Sequence, residues 1–167
     1  MLNPDSNWLW KLIHFIRFSD SSVDNKKPFK SNSINHSFGL PDPRTSGEFY
    51  LRTLIDILYE SLSEEGLQRL RKIENRNILG QPITVKKNND EVCLDYLQSL
   101  SEIEFLEESF SLNNIKRIIE VGPGYGRTCH AILSNYEVED YTIVDLPKGV
   151  NLCRSYLAEV LSDREYS

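Results

Sequence analysis

Apolar residues recur at three- and four-residue intervals through the first two thirds of the chain and then give way to short β-branched runs, so the pattern itself divides the molecule. Trp8, Leu9, Leu12, Ile13, Phe15 and Ile16 predict a short amphipathic helix, with Asp5 or Ser6 available to cap it. Ser19 to Arg44, rich in Ser, Asn, Asp and Pro, reads as a linker or long loop. A second helix is predicted from near Ser46, where Phe49, Tyr50, Leu51, Leu54, Ile55, Leu58 and Tyr59 repeat every three or four residues. Ser63 with Glu64 and Glu65 marks the start of a third, because a hydroxyl acceptor and an acidic first turn suit exposed amide donors and the helix dipole. Leu67, Leu70 and Ile73 continue its apolar face, and Asn75 to Gly80 stops it. Ile83 to Lys87 reads as a short extended segment after Pro82. Asn88, Asn89 and Asp90 then form a turn that caps a longer helix, kept in phase by Val92, Tyr96, Leu97, Leu100, Ile103, Leu106 and Phe110.

From Ile115 the character changes. Arg117 to Val121 is a β-branched run ended by glycines, Thr128 to Leu133 a short helix, and Tyr141 to Asp145 a second β-branched run. Leu146 and Pro147 lead into a helix carrying Val150, Leu152, Cys153, Tyr156, Leu157, Val160 and Leu161. Strand, glycine turn, helix, strand, helix is the opening of a doubly wound sheet. The expected fold class is α/β, the start of a Rossmann-like doubly wound parallel sheet preceded by an all-helical N-terminal region. The expected segments are 1–44 (N-terminal helix and linker), 45–114 (helical region) and 115–167 (first βαβα unit).

Composition adds exclusions. The chain has 167 residues, 40% hydrophobic and 26% charged, which suits one ordinary globular domain. Its net charge of -6 comes from scattered carboxylates, and it has no Lys/Arg-rich run to follow a phosphate backbone, so nucleic acid is not an expected partner. The apolar stretch Trp8 to Phe18 is broken by Lys11, His14 and Arg17; it is too short and polar for a membrane span and lacks the regions of a signal peptide. Docking on its own domain or on a partner is the expected role of that helix, ahead of a membrane surface. Cys93, Cys129 and Cys153 form no CxxC pair and no metal-ligand spacing, which points to a reduced, cytoplasmic protein without a metal.

The candidate chemistry lies in Glu120-Val121-Gly122-Pro123-Gly124-Tyr125-Gly126, between a strand and a helix. Glycine tolerates the sharp bend and lets a ligand approach the backbone, while the following helix offers amide donors at its positive end. Neither a phosphate-binding P-loop nor a dinucleotide fingerprint fits, because Arg127 stands where each needs its last glycine. The pattern present is an acid followed by three alternating glycines, with a second acid, Asp145, at the end of the next strand, 25 positions after Glu120. A carboxylate offers the acceptor pair that two ribose hydroxyls require. One glycine would be read as a tight turn and Asp145 as a helix cap; three alternating glycines between two acids are hard to explain by packing alone.

This motif resembles the first motif of Rossmann-like S-adenosylmethionine methyltransferases. Ile119 to Arg127, followed by Ile143-Val144-Asp145-Leu146-Pro147, looks like the bacterial sugar O-methyltransferases, and Leu79-Gly80-Gln81-Pro82 and Asp95-Tyr96-Leu97 are similar to that family's upstream segment. The resemblance implies S-adenosylmethionine held by Glu120, Gly122, Pro123, Gly124, Tyr125, Gly126, Asp145 and Leu146, with Asp145 on the ribose and Glu120 helping to hold the methionine amino group. It implies a small-molecule acceptor, a sugar hydroxyl. The catalytic base is not visible, and His130, on the helix after the turn, is expected in a surface or packing role. Two parallel strands are fewer than a complete sheet, so the chain is expected to be the N-terminal part of a longer enzyme, with an apolar edge left exposed. The rival reading is a non-catalytic remnant or interaction module with a helical docking region. Arg127 is expected to begin the helix facing solvent, ahead of pairing with an anionic substrate, Tyr125 to cover the cofactor or pack on Pro147, and Cys129 and His130 to point apart.

Overall fold

The computed structural model describes residues 48–80, 82 and 84–162; the helix predicted from Trp8, the linker after it and Ser46 lie outside them. The fold is mixed α/β, with five helices and two small two-stranded sheets among the described residues. In chain order these are α1 (Glu48–Ser61), α2 (Glu64–Lys72), β1 (Thr84–Lys87), β2 (Asp90–Cys93), α3 (Leu94–Glu107), a short 3-10 turn (Leu112–Asn114), β3 (Arg117–Val121), α4 (Arg127–Asn135), β4 (Asp140–Val144) and α5 (Pro147–Val160).

Local chemistry accounts for most boundaries. Ser63 caps α2, its hydroxyl accepting from the Gly66 amide at 3.0 Å, and Glu64 and Glu65 at one end with Arg69, Arg71 and Lys72 at the other complement the helix dipole. Pro147 opens α5, where its missing amide hydrogen costs nothing. One expectation is corrected: the region up to residue 114 is not all-helical. Val92 belongs to β2, which pairs antiparallel with β1 through a two-residue loop, Asn88 being left-handed with φ of 53°. The pairing places Val92 opposite Val85, burying both β-branched side chains, and the helix starts only at Leu94.

Helix α3 is the centre of the core. Leu94, Tyr96, Leu97, Leu100 and Ile103 are buried against Ile55, Tyr59 and Leu62 on one side and Ala131, Ile132 and Tyr136 on another, so one cluster runs from α1 to α4. Asp90 ties the hairpin to the helices, accepting from the Tyr59 hydroxyl at 2.9 Å and from the Arg71 guanidinium at 3.1 and 2.9 Å. That guanidinium holds the Asp90 carboxyl below its usual range. A second cluster gathers Leu79, Tyr125, Leu152, Tyr156, Val160 and Leu161 beneath α5.

Strands β3 and β4 are parallel neighbours in register, from Arg117 opposite Asp140 to Val121 opposite Val144, and α4 connects them. Among the described residues only one face of this pair is covered: Ile118, Glu120, Tyr141 and Ile143 are half-buried, whereas Ile119 and Val121 are 71% and 78% exposed. Val144 and Leu146 continue that bare apolar face, which parallel sheets ordinarily bury. Among the described residues no helix is long and apolar enough to cross a membrane.

Candidate functional site

Because Val121 and Val144 are register partners, the next residues along the two strands, Gly122 and Asp145, emerge side by side. The Gly122 amide donates to the Val144 carbonyl at 2.9 Å, carrying the ladder one step into the turn. Gly122, Gly124 and Gly126 are all left-handed, with φ of 73°, 63° and 97°. They are not equivalent. A Cβ on Gly122 or Gly124 would meet nothing within 4 Å, whereas one on Gly126 would meet the Cys153 sulfur at 2.6 Å and Leu157 Cγ at 3.4 Å. The first two glycines therefore border open space, and the third lets α5 pack against the turn. Pro123 is buried between them and accepts from the Gly126 amide at 3.0 Å. Helix α4 begins immediately afterwards, its first amides directed at the turn.

The two acids occupy different settings. Glu120 is half-buried on the covered face and accepts from the Tyr141 hydroxyl at 2.9 Å; burial raises its carboxyl above the usual range, and that hydrogen bond opposes the rise. A carboxyl whose folded pKa is raised binds more protons folded than unfolded, so its contribution to stability falls as pH rises between the two values. Glu120→Gln, which keeps an acceptor for Tyr141 without the charge, is therefore expected to raise the melting midpoint at neutral pH. Melting curves over a pH series should show that gain shrinking as pH falls through the raised value. Asp145 is half-buried over the first turn of α5: its Oδ1 accepts from the Leu146 amide at 2.6 Å, and a Cβ on Gly149 would meet Oδ2 at 2.5 Å. Leu146, 41% exposed, presents apolar surface beside it.

Two side chains of the motif are placed differently from expectation. Tyr125 does not cover the open space beside Gly122 and Gly124. It is buried, its hydroxyl donates to Asp95 Oδ2 at 2.8 Å, and its ring stands edge-on to Tyr156 with centroids 4.9 Å apart. An aromatic ring whose hydroxyl finds an acceptor indoors removes apolar area from water without losing a hydrogen bond, which favours this placement. Arg127 is not a solvent-facing residue; its guanidinium donates to the Asp95 carbonyl at 3.1 Å and Ser99 Oγ at 2.8 Å and pairs with Glu102. Asp95, Ser99 and Glu102 fall at i, i+4 and i+7 along α3, one polar stripe that meets Tyr125 and Arg127. That spacing was visible in the sequence and is the signal by which these three residues could have been found; Tyr141 and Tyr156 gave none.

His130 takes a packing role and no surface role. It is wholly buried, its Nδ1 is 2.6 Å from the Tyr96 hydroxyl, and Tyr96 and Tyr156 stand edge-on to its ring. The Tyr96 and Tyr156 hydroxyls bond each other in the same network. Cys129 and Cys153 are buried free thiols; burial raises both, Cys153 to about 12, so neither is a thiolate nucleophile at neutral pH. Among the described residues no group of three His, Cys, Asp or Glu side chains is arranged to hold a metal ion. Comparison with known proteins gave no match to a family model, a curated protein or a solved structure.

Proposed function

We propose that this chain carries the S-adenosylmethionine-binding part of a Rossmann-like methyltransferase, which transfers a methyl group to a hydroxyl of a sugar or similar small molecule. The observation that carries the reading is the register of β3 with β4, which sets Asp145 beside Gly122, the first of two left-handed glycines whose missing side chains leave open space. A cofactor with a ribose and a charged amino-acid end fits such a donor and acceptor set. S-adenosylmethionine supplies an activated methyl on sulfur; the chain's own residues bind and orient. Gly122, Pro123, Gly124, Tyr125 and Gly126 shape the bend, the last two from beneath it. Asp145 accepts from the ribose hydroxyls, Leu146 offers apolar surface to the base, and Glu120 holds negative charge on the strand entering the turn. The buried free thiols support a reducing, cytoplasmic setting.

The test is calorimetric titration of the full chain with S-adenosylmethionine and S-adenosylhomocysteine. Saturable 1:1 binding of both is expected, and a folded protein that binds neither would overturn the reading. The bare apolar face of Ile119, Val121, Val144 and Leu146 favours a second reading, a non-catalytic interaction module, and that negative result would select it.

A further inference from the structure

We infer that Asp95, on α3, is the positioning residue for the glycine turn, acting through Tyr125 and Arg127 on either side of Gly126. The turn is held from two directions. From α5, Cys153 and Leu157 lie against the space a side chain at Gly126 would need, and Tyr156 meets the Tyr125 ring. From α3, Asp95 serves both neighbours of that glycine at once: its carboxylate accepts from the Tyr125 hydroxyl at 2.8 Å and its carbonyl from the Arg127 guanidinium at 3.1 Å.

The consequence is geometric. Residues 125 and 127 are anchored to one turn of one helix, and Asp95 is itself 1% exposed, so the descending limb of the bend cannot shift without separating buried hydrogen-bonding groups. The ascending limb, Gly122 and Gly124, has no such side-chain anchor and borders open space. A bend of glycines is conformationally permissive, and its ligand-ready shape must be imposed by its surroundings. Asp95 imposes it from a residue 27 positions before Gly122, on an element with no place in the glycine motif.

The experiment compares amide hydrogen exchange in wild type, Tyr125→Phe, Asp95→Ala and Asp95→Asn. The reporter is the Gly126 amide, which donates to the Pro123 carbonyl; the Leu67 amide, bonded to the Ser63 carbonyl in α2, is the control. Tyr125→Phe keeps the ring and its packing, so it isolates the hydroxyl without threatening the fold. Exchange at Gly126 is expected to quicken about tenfold in Tyr125→Phe and Asp95→Ala, the size of one buried hydrogen bond, with Leu67 unchanged. Asp95→Asn, whose amide oxygen still accepts from Tyr125, should restore the wild-type rate. An unchanged Gly126 rate in Tyr125→Phe, or an equal quickening at Gly126 and Leu67, would overturn the assignment. Affinity for S-adenosylhomocysteine forms a second arm that rests on the cofactor reading above: a tenfold loss in the first two variants, recovered in Asp95→Asn, is expected. If wild type fails to bind, that reading falls while the exchange rates still decide the role of Asp95.

Discussion

Gly126→Val should leave the protein largely unfolded at temperatures where wild type is intact. The residue sits at φ of 97°, where a β-branched side chain is strained by about 1–3 kcal/mol, and its Cβ would lie 2.6 Å from the Cys153 sulfur. Overpacking a filled site costs about 1–3 kcal/mol more. Their sum, about 2–6 kcal/mol, is a large share of the roughly 5–15 kcal/mol that holds a domain together. Gly124→Ala is the matched comparison: its φ of 63° is also left-handed, but the new methyl meets nothing within 4 Å, so only the backbone penalty of about 1–2 kcal/mol applies. Urea titration of both variants measures the difference. Equal losses would mean that the third glycine is not the packing glycine. In the cofactor reading the milder variant also occupies the space a ligand needs, so Gly124→Ala should stay folded and lose affinity for S-adenosylhomocysteine.

Asp145→Ala is expected to have the largest effect on binding. Two hydroxyl donors on one carboxylate correspond to roughly 3 kcal/mol, or about a hundredfold in Kd. Stability should fall much less, because the group removed is half-exposed and, among the described residues, accepts only from the adjacent Leu146 amide. Calorimetric titration with S-adenosylhomocysteine, beside a melting curve, separates the two quantities. Affinity equal to wild type would remove Asp145 from the site and leave it as a residue that steadies the start of α5.

Much of the second half of the molecule could be read directly. Arg117 to Val121 and the run ending at Val144 became adjacent parallel strands because β-branched residues fit a pleated surface and a helix of nine residues leads from one to the other. Ser63 announced α2 for an equally local reason, since a hydroxyl before two glutamates satisfies the first amides of a helix wherever that helix lies. The hairpin was harder. Val92 keeps helical phase with Tyr96, so its period could not reveal that it pairs across a strand with Val85.

The sequence by itself determined the order of strand, bend and helix, the left-handed glycines at the bend, and the arrival of an acid beside it, because each depends on backbone preferences over a few residues. Tertiary structure decided what the side chains around the bend do. Tyr125 turned inward and Arg127 was drawn from solvent because α3, some 30 residues earlier, brought Asp95, Ser99 and Glu102 against them. Among the described residues, tertiary structure also decided which face of β3 and β4 is covered, since a face is buried only by elements that pack on it. Spacing along a chain encodes backbone conformation, whereas the partner of a polar atom is chosen by proximity in space.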